Sequence, residues 1–172
     1  MKFVKSKKLP VYLSVEEFTN LIKATKKMIH KVAFLLAFGS GLRISEVVNL
    51  ELRDVYMKER KILVRQGKGN KDRIVPLPKG FRNSHLNYIP LTIGVRALQK
   101  AFSSACKRAK LLDTKPTLHF HSLRHGFATQ CISEGIKLNH LQAFMGHTNI
   151  STTSIYLHSN PKEALKEYEE LF

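Results

Sequence analysis

The sequence predicts a mainly helical α+β domain that contains one small antiparallel β-sheet or hairpin. Apolar residues recur at spacings of three and four over most of the 172 residues, as expected of helices that bury one face. Residues 53–77 change to a two-residue period, which is typical of half-buried strands. A chain of this length is sufficient for a single domain with a sizeable core.

The first helix is predicted to begin near Val15. Ser14 and Glu17 have the spacing of a capping box, and Leu13 and Phe18 supply a hydrophobic staple. A second helix is expected from about residue 30 to residue 38, where the glycines of the segment FGSG interrupt the apolar pattern.

A third helix is predicted to carry Val47, Val48 and Leu50, with Arg43 at its start. Arginine at a helix entrance is usually a solvated surface group. The free backbone N–H groups of a helix start also bind anions, so position alone leaves both interpretations open.

Two short strands are predicted on either side of a glycine-rich loop. Ile62 and Val64 alternate with the residues between them in the first strand, and Ile74 and Pro76 do so in the second. The connecting residues QGKGNK are typical of a hairpin loop. Seven basic and two acidic residues lie across positions 58–73, so the hairpin is expected to be positively charged. The GKG segment lacks the rest of a P-loop pattern, which argues against binding of nucleoside triphosphates.

Two more amphipathic helices are predicted downstream of the hairpin. One begins near Thr92, with apolar residues from Val95 to Ala109. Its other face, interpreted either as solvated or as lying along a polyanion, carries Arg96, Lys100, Lys107, Arg108 and Lys110. The last segment, PKEALKEYEELF, is expected either to close the core of its own chain or to dock on a neighbour.

Residues 119–158 contain four side chains that could take part in catalysis. His121 and Arg124 are three residues apart and should share one helix face. The opposite, buried stripe of this helix is predicted to consist of Leu123, Phe127, Ala128, Cys131 and Ile132, with Gly135 as the helix stop. A second apolar pattern of Leu138, Leu141, Phe144 and Met145 ends at Gly146, which should turn the chain and present His147. Tyr156 lies on a short segment beyond it.

The charge balance indicates a polyanionic partner. Twenty-nine lysines and arginines against 13 acidic residues give a net charge of +16 and an isoelectric point near 10.0. Phosphate backbones are the commonest partner of such a surface, although a protein that is simply basic is the alternative. Residues 1–12 form a basic lead-in, interpreted either as a solvated tail or as a linker that tracks DNA.

The cysteines, the histidines and the lack of long apolar segments bear on the cellular location and on metal binding. Cys106 and Cys131 have apolar helical neighbours and are expected to be buried thiols in a reducing compartment. A run of about 18 apolar residues and a signal-peptide core are both missing, so a cytoplasmic protein without membrane partners is expected. His119, His121 and His125 suggest zinc, but acidic and cysteine ligands are lacking nearby, and neither a metal nor a cofactor is expected.

Several motifs together resemble one family. The segments HSLRHGFAT and MGH, with a tyrosine nine residues after that histidine, are similar to the tyrosine recombinase (phage integrase) family and most of all to its Xer-type members. GLRISEVVNL at 41–50 and GKGNKDRIVPL at 67–77 extend the match upstream. The resemblance implies a helical catalytic domain over residues 13–172 that performs site-specific DNA recombination.

The resemblance also implies a role for each matching residue. Tyr156 matches the nucleophile that forms a 3′-phosphotyrosyl link, and Arg43 and Arg124 match the two arginines that bind the phosphate. The remaining matches are the lysine that protonates the leaving 5′-oxygen (Lys68), the proton-handling histidine (His121), the second, phosphate-binding histidine (His147) and an acidic supporting position (Glu46). Further possible DNA contacts in and beside the hairpin are Lys71, Arg73 and Arg65.

The resemblance implies double-stranded DNA as substrate and a tetrameric synapse in which the C-terminal helix, about 161–171, passes to a neighbouring protomer. Members of the family usually carry an N-terminal helical domain that clamps the other face of DNA. Here the catalytic part begins almost at once, so that core-binding domain is expected to be absent, in a fragment or in a short stand-alone form. The alternatives are a type IB topoisomerase-like activity, or a DNA-binding accessory factor with an unused site.

Overall fold

The structure is a computed structural model that describes residues 10–65, 71–146 and 161–172. Its helices are α1 (Val15–Ala24), α2 (Met28–Ser40), α3 (Ile44–Val48), α4 (Val95–Arg108), α5 (His121–Ser133), α6 (Leu138–Met145) and a C-terminal helix (Pro161–Leu171). Short 3-10 helices cover Leu52–Asp54, Asn83–Tyr88 and Leu111–Asp113. The strands β1 (Val55–Tyr56), β2 (Lys61–Val64) and β3 (Arg73–Pro76) form one antiparallel sheet in that order. The predicted fold class is confirmed.

Helix α1 begins where its capping box predicts. The Ser14 hydroxyl accepts a hydrogen bond from the Glu17 N–H at 3.1 Å, and the Glu17 carboxylate accepts one from the Ser14 N–H at 2.8 Å. Satisfying these two N–H groups stabilises the helix start by about 1 kcal/mol. The cap also sets the direction in which Phe18 and Leu21 enter the core.

Helix α2 is the central element of the core. Its residues Ala33, Phe34, Leu36 and Ala37 are fully buried, because α1, α4 and α5 pack around it. Phe34 lies edge-on to Phe102 of α4, with ring centroids 5.5 Å apart. The helix runs from Met28 to Ser40, so it is longer at both ends than the 30–38 segment that the apolar pattern predicts.

The third helix is shorter than predicted. It ends at Val48, and Asn49 caps it with an N–H bond to the Ser45 carbonyl, so Leu50 lies beyond the helix rather than within it. Leu50 is nevertheless buried, since the chain turns it back toward the core.

The strand β3 faces the core differently from the prediction. The register pairs Ile62 with Val75 and Val64 with Arg73, and Ile62, Val64 and Val75 are buried. Residues that pair across a sheet share a face, so Arg73 and Val75 lie on the core side, whereas the sequence favoured Ile74 and Pro76. Pro76 is buried as well because β3 also packs against the C-terminal helix.

The prediction of which residues of α5 and α6 are buried is partly wrong. Ile132 is 59% exposed and Leu138 is 62% exposed, since both lie beside the α5–α6 turn at the surface. Arg124 and His140 are buried instead, at 2% and 5% exposure. Both side chains have polar partners inside the protein, and hydrophobic periodicity does not detect such partners.

The C-terminal helix packs on the core of its own chain. Ala164 and Tyr168 are buried, and the Tyr168 hydroxyl donates to the Gly39 carbonyl at 3.3 Å. The Glu167 carboxylate pairs with the His140 ring and also accepts the Lys137 N–H at 3.2 Å. These contacts tie the helix to the start of α6.

The two cysteines are free and buried, as predicted. Burial raises the pKa of both thiols to about 12, so both are protonated and unreactive at neutral pH. Among the residues that the structure describes, no helix is long and apolar enough to cross a membrane.

Candidate active site

Arg124 is held inside the protein by backbone carbonyls. It is the fourth residue of α5, is 2% exposed, and donates from its two terminal nitrogens to the carbonyls of Gly41 and Met145. Burial first, then the charges of Arg43 and Arg73, lower its pKa to about 9. Arg124 therefore remains charged at neutral pH in a fixed orientation.

Glycine is needed at position 41 for this arrangement. Gly41 ends α2 with a φ of +67°, and a Cβ there would lie 2.5 Å from the Phe127 ring. Only glycine adopts this backbone conformation beside Phe127 without strain. The turn presents the Gly41 carbonyl to Arg124.

Arg43 lies at the entrance of α3, as predicted, and Glu46 holds it there. The Glu46 carboxylate accepts the Arg43 backbone N–H at 2.8 Å and its Nη1 at 3.0 Å. The Nη2 of Arg43 donates more weakly to the Met145 carbonyl at 3.4 Å. Because Arg124 donates to the same carbonyl, Met145 brings the two guanidinium groups together.

Glu46 is a buried carboxylate that stays ionised. Burial alone would raise its pKa, but hydrogen bonds and charge from Arg73, together with the Arg43 N–H and charge, lower it to about 2. A carboxylate with this pKa carries a full negative charge throughout the physiological range.

His121 opens α5 on the turn that precedes Arg124. The side chain is half-buried, with its ring centroid 6.4 Å from that of His119 and 5.5 Å from that of His125. Burial, then the charge of Arg124 and the neighbouring histidines, lowers its pKa below the ordinary 6.5. His121 is therefore neutral at neutral pH and can accept a proton or a hydrogen bond.

Three of the predicted site residues, Lys68, His147 and Tyr156, lie outside the described residues. The structure does describe the chain immediately before His147. Gly146 ends α6 with a φ of +61°, so the turn predicted at this glycine is present.

The three basic residues predicted as possible DNA contacts differ in exposure. Lys71 is exposed, and Arg65 is 44% exposed with its Nε on the Asp54 carboxylate at 2.6 Å. Arg73 is only 9% exposed and donates to Glu46 and to the Phe144 carbonyl. Its two-residue spacing from buried Val75 is the signal in the sequence that could have placed it inside.

The arrangement is suited to binding an anion with a planar array of donors. The guanidinium groups of Arg43 and Arg73 pair with the Glu46 carboxylate, and the Arg124 guanidinium lies close enough for their charges to affect its pKa. Three positive groups beside one carboxylate leave an excess of positive charge in the described part of the site. Guanidinium groups match the oxygens of a phosphate, and holding them in advance avoids reorganisation when charge develops. A neutral imidazole beside them supplies a group for proton transfer.

Comparison with known proteins gives consistent matches. The model of the phage integrase family matches residues 12–90 and 84–163. A tyrosine recombinase of Thermosipho africanus is 34% identical over an alignment of 181 positions, which covers 96% of this chain and 63% of that protein.

Solved structures match over a similar extent. The crystal structure of XerA recombinase superimposes with a TM-score of 0.68 at 27% identity, covering 94% of this chain and 65% of that one. XerH site-specific recombinase, bound to a palindromic difH substrate in a post-cleavage complex, superimposes with a TM-score of 0.69 at 22% identity. The superposition covers 98% of this chain and 54% of that one. The XerH match shows the fold alone. The chain spans less than two thirds of the length of these relatives.

Proposed function

Because the chain belongs to the phage integrase family of tyrosine recombinases, we propose that it performs site-specific DNA recombination through a covalent 3′-phosphotyrosine intermediate. The observation that carries the proposal is the convergence of Arg43 and Arg124 on the Met145 carbonyl, with neutral His121 one turn away. The net charge of +16 supports double-stranded DNA as the substrate.

The chemistry assigns a task to each residue. The Tyr156 phenol oxygen attacks the phosphorus, the 5′-oxygen leaves with a proton, and the phenol loses one. Arg43 and Arg124 stabilise the charge that builds on the non-bridging oxygens. A 5′-hydroxyl of another strand then attacks the phosphotyrosyl bond and restores the backbone. Each step exchanges one phosphoester for another, so ATP is not required.

Proton handling is assigned to Lys68 and His121. Lys68 protonates the leaving 5′-oxygen, His121 takes up the phenolic proton, and His147 hydrogen-bonds the phosphate. The motif matches support the assignments of Lys68, His147 and Tyr156, and the lowered pKa of His121 supports its role as acceptor. Glu46 supports Arg43 without reacting itself.

Assembly and location form part of the proposal. We assign residues 13–172 to the catalytic domain, which agrees with a family match that begins at residue 12. A tetramer on DNA, with the helix at 161–171 exchanged between protomers, would fit a palindromic site such as that of XerH, since symmetric half-sites bind symmetric protomers. The protein would then act in the cytoplasm on nucleoid DNA.

Covalent capture tests the proposal. The probe is a pool of palindromic duplexes with randomised half-sites, each nicked near its centre so that cleavage releases a short oligonucleotide and traps the adduct. On a denaturing gel we expect a DNA-shifted protein band with the natural sequence, lost in Tyr156→Phe and kept in the matched control Tyr88→Phe. The band should persist in chelator. DNA binding without any adduct would contradict the proposal and favour an accessory factor.

A further inference from the structure

Arg73 lies inside the protein although it belongs to a basic hairpin. It is the first residue of β3 and pairs in register with buried Val64, so its side chain starts on the core face of the sheet. The side chain is 9% exposed. A side chain in this position is poorly placed to contact a phosphate at the surface.

Every nitrogen of the Arg73 guanidinium has an acceptor within the protein. Its Nη1 and Nη2 each donate to one oxygen of Glu46 at 2.7 Å, and its Nε donates to the Phe144 carbonyl at 2.7 Å. This is a bidentate ion pair extended by a third hydrogen bond, which fixes both the position and the plane of the carboxylate.

The first path from Arg73 leads through Glu46 to Arg43. The two oxygens that Arg73 binds also accept the Arg43 backbone N–H at 2.8 Å and the Arg43 Nη1 at 3.0 Å. Glu46 thus orients Arg43 only while its own plane is fixed. Without Arg73, the carboxylate would lose two of its four hydrogen bonds and could rotate.

The second path leads through the end of α6 to both arginines. The Phe144 carbonyl that Arg73 binds precedes the Met145 carbonyl, which accepts from Arg43 and Arg124. A Cβ at Gly146 would lie 2.9 Å from the Arg73 Cδ, so the turn packs directly on the arginine stem. Arg73 therefore holds the backbone on which the two guanidinium groups rest.

We propose that Arg73 is a positioning residue that sets the orientation of Arg43 and Arg124 through Glu46 and the end of α6, without contacting DNA itself. The consequence for catalysis rests on the proposed function, in which Arg43 and Arg124 bind the scissile phosphate. The proposal differs from the DNA-contact role that the charge of the hairpin suggests for Arg73.

The first test separates DNA binding from cleavage in Arg73→Lys and Arg73→Gln. We expect DNA affinity within about twofold of the natural protein, with the same dependence on salt, because no phosphate contact is lost. We expect the single-turnover rate of covalent capture to fall about 100-fold, since a small displacement of catalytic groups has an effect of this size. Arg82→Gln, the same change at an exposed arginine, should alter neither quantity.

The lysine variant distinguishes geometry from charge. Lysine keeps the positive charge beside Glu46 but cannot donate to both carboxylate oxygens and to Phe144 in one plane. Arg73→Lys should therefore remain at least about tenfold slower than the natural protein. The proposal would be overturned if Arg73→Lys captured DNA at the full rate of the natural protein. It would also be overturned if the DNA affinity of Arg73→Gln depended less steeply on salt, by the equivalent of about one phosphate contact.

A second measurement does not depend on activity. The rotation rate of the Arg43 guanidinium group can be followed by NMR, with its signals assigned through their loss in Arg43→Lys. We expect faster rotation in Arg73→Lys and unchanged rotation in Arg82→Gln, at a temperature where each variant is folded. Unchanged rotation in Arg73→Lys would overturn the coupling. If the natural protein forms no adduct, the proposed function fails while this measurement still decides the coupling.

Discussion

Arginine side chains at this site are oriented by backbone carbonyls as much as by acidic partners. Arg124 donates to the carbonyls of Gly41 and Met145, which are 83 and 21 residues away along the chain. Burying a guanidinium group without acceptors would be costly, so the two turns that supply the carbonyls are part of the site. Glu46 is the ionised carboxylate in this group, and we expect its charge to contribute to stability.

The pH dependence of folding should report on Glu46. Its pKa is depressed from 4.5 to about 2, so its contribution to stability is present above pH 4.5 and is lost as the pH falls toward 2. That contribution is at most about 3 kcal/mol, since one pKa unit corresponds to about 1.4 kcal/mol. We expect the free energy of unfolding, measured in urea, to fall across this window in the natural protein.

The matched variant for this prediction is Glu46→Gln, which keeps the shape of the side chain and removes its charge. Its free energy of unfolding should be lower at pH 6, because the charge that pairs with Arg73 and Arg43 is lost. Between pH 4.5 and pH 2 it should fall less steeply than in the natural protein, with the remaining fall caused by the other carboxylates. An equally steep loss in both proteins would mean that Glu46 is not the source of the slope.

At the scale of elements, the contacts described for the C-terminal helix include the buried side chains of Ala164 and Tyr168 and the pair between Glu167 and the His140 ring. Tyr168 is 7% exposed and stacks on Phe172 with ring centroids 4.6 Å apart, while Leu171 is 38% exposed. Tyr168 is the largest buried side chain described in this helix, so its loss should weaken the docking. The same helix is the segment proposed to exchange between protomers.

Tyr168→Ala should therefore destabilise the protein by about 3 kcal/mol, because it removes a buried aromatic ring. Leu171→Ala, on the exposed side of the same helix, should change the free energy of unfolding by less than about 0.5 kcal/mol. Chemical denaturation at low protein concentration measures both values. If Tyr168→Ala were neutral in dilute solution, the helix would not be docked on its own chain there.

At the scale of the whole molecule, a net charge of +16 should dominate the strength of DNA binding. The exposed basic face of α4 (Arg96, Lys100, Lys107, Arg108) retains the two interpretations that the sequence allows. The matches to the phage integrase family confirm the predicted resemblance, but they do not indicate which exposed lysines and arginines touch the phosphates.

The salt dependence of DNA affinity can show which of those basic side chains contact phosphates. Affinity for DNA should fall at least about 1,000-fold between 50 and 200 mM salt if six or more phosphates are neutralised. Replacing Arg65 and Lys71 by glutamine should weaken this dependence by about two phosphate contacts, whereas Lys100→Gln with Lys107→Gln should leave it unchanged. A weakened dependence in the second variant would place α4 along the DNA.

The sequence by itself determined the class of fold, the start of the first helix and the family. These features are local, because the capping box at Ser14 and the segment HSLRHGFAT depend on residues close together in the chain. The hairpin was predicted for the same reason. The assignments of Lys68, His147 and Tyr156 remain predictions from the motifs.

Only the tertiary structure decided how the site is held together. The burial of Arg73 depends on the pairing of β3 with β2, and the carbonyl partners of Arg124 come from turns that are distant in sequence. Hydrophobic periodicity counts every charged residue as exposed, so the spacing of Arg73 from Val75 indicates a shared face but becomes evidence of burial only once the sheet register is known. The contacts that orient Arg43 and Arg124 form only when α2, α3, β3, α5 and α6 pack together, and that packing is not a local property of the chain.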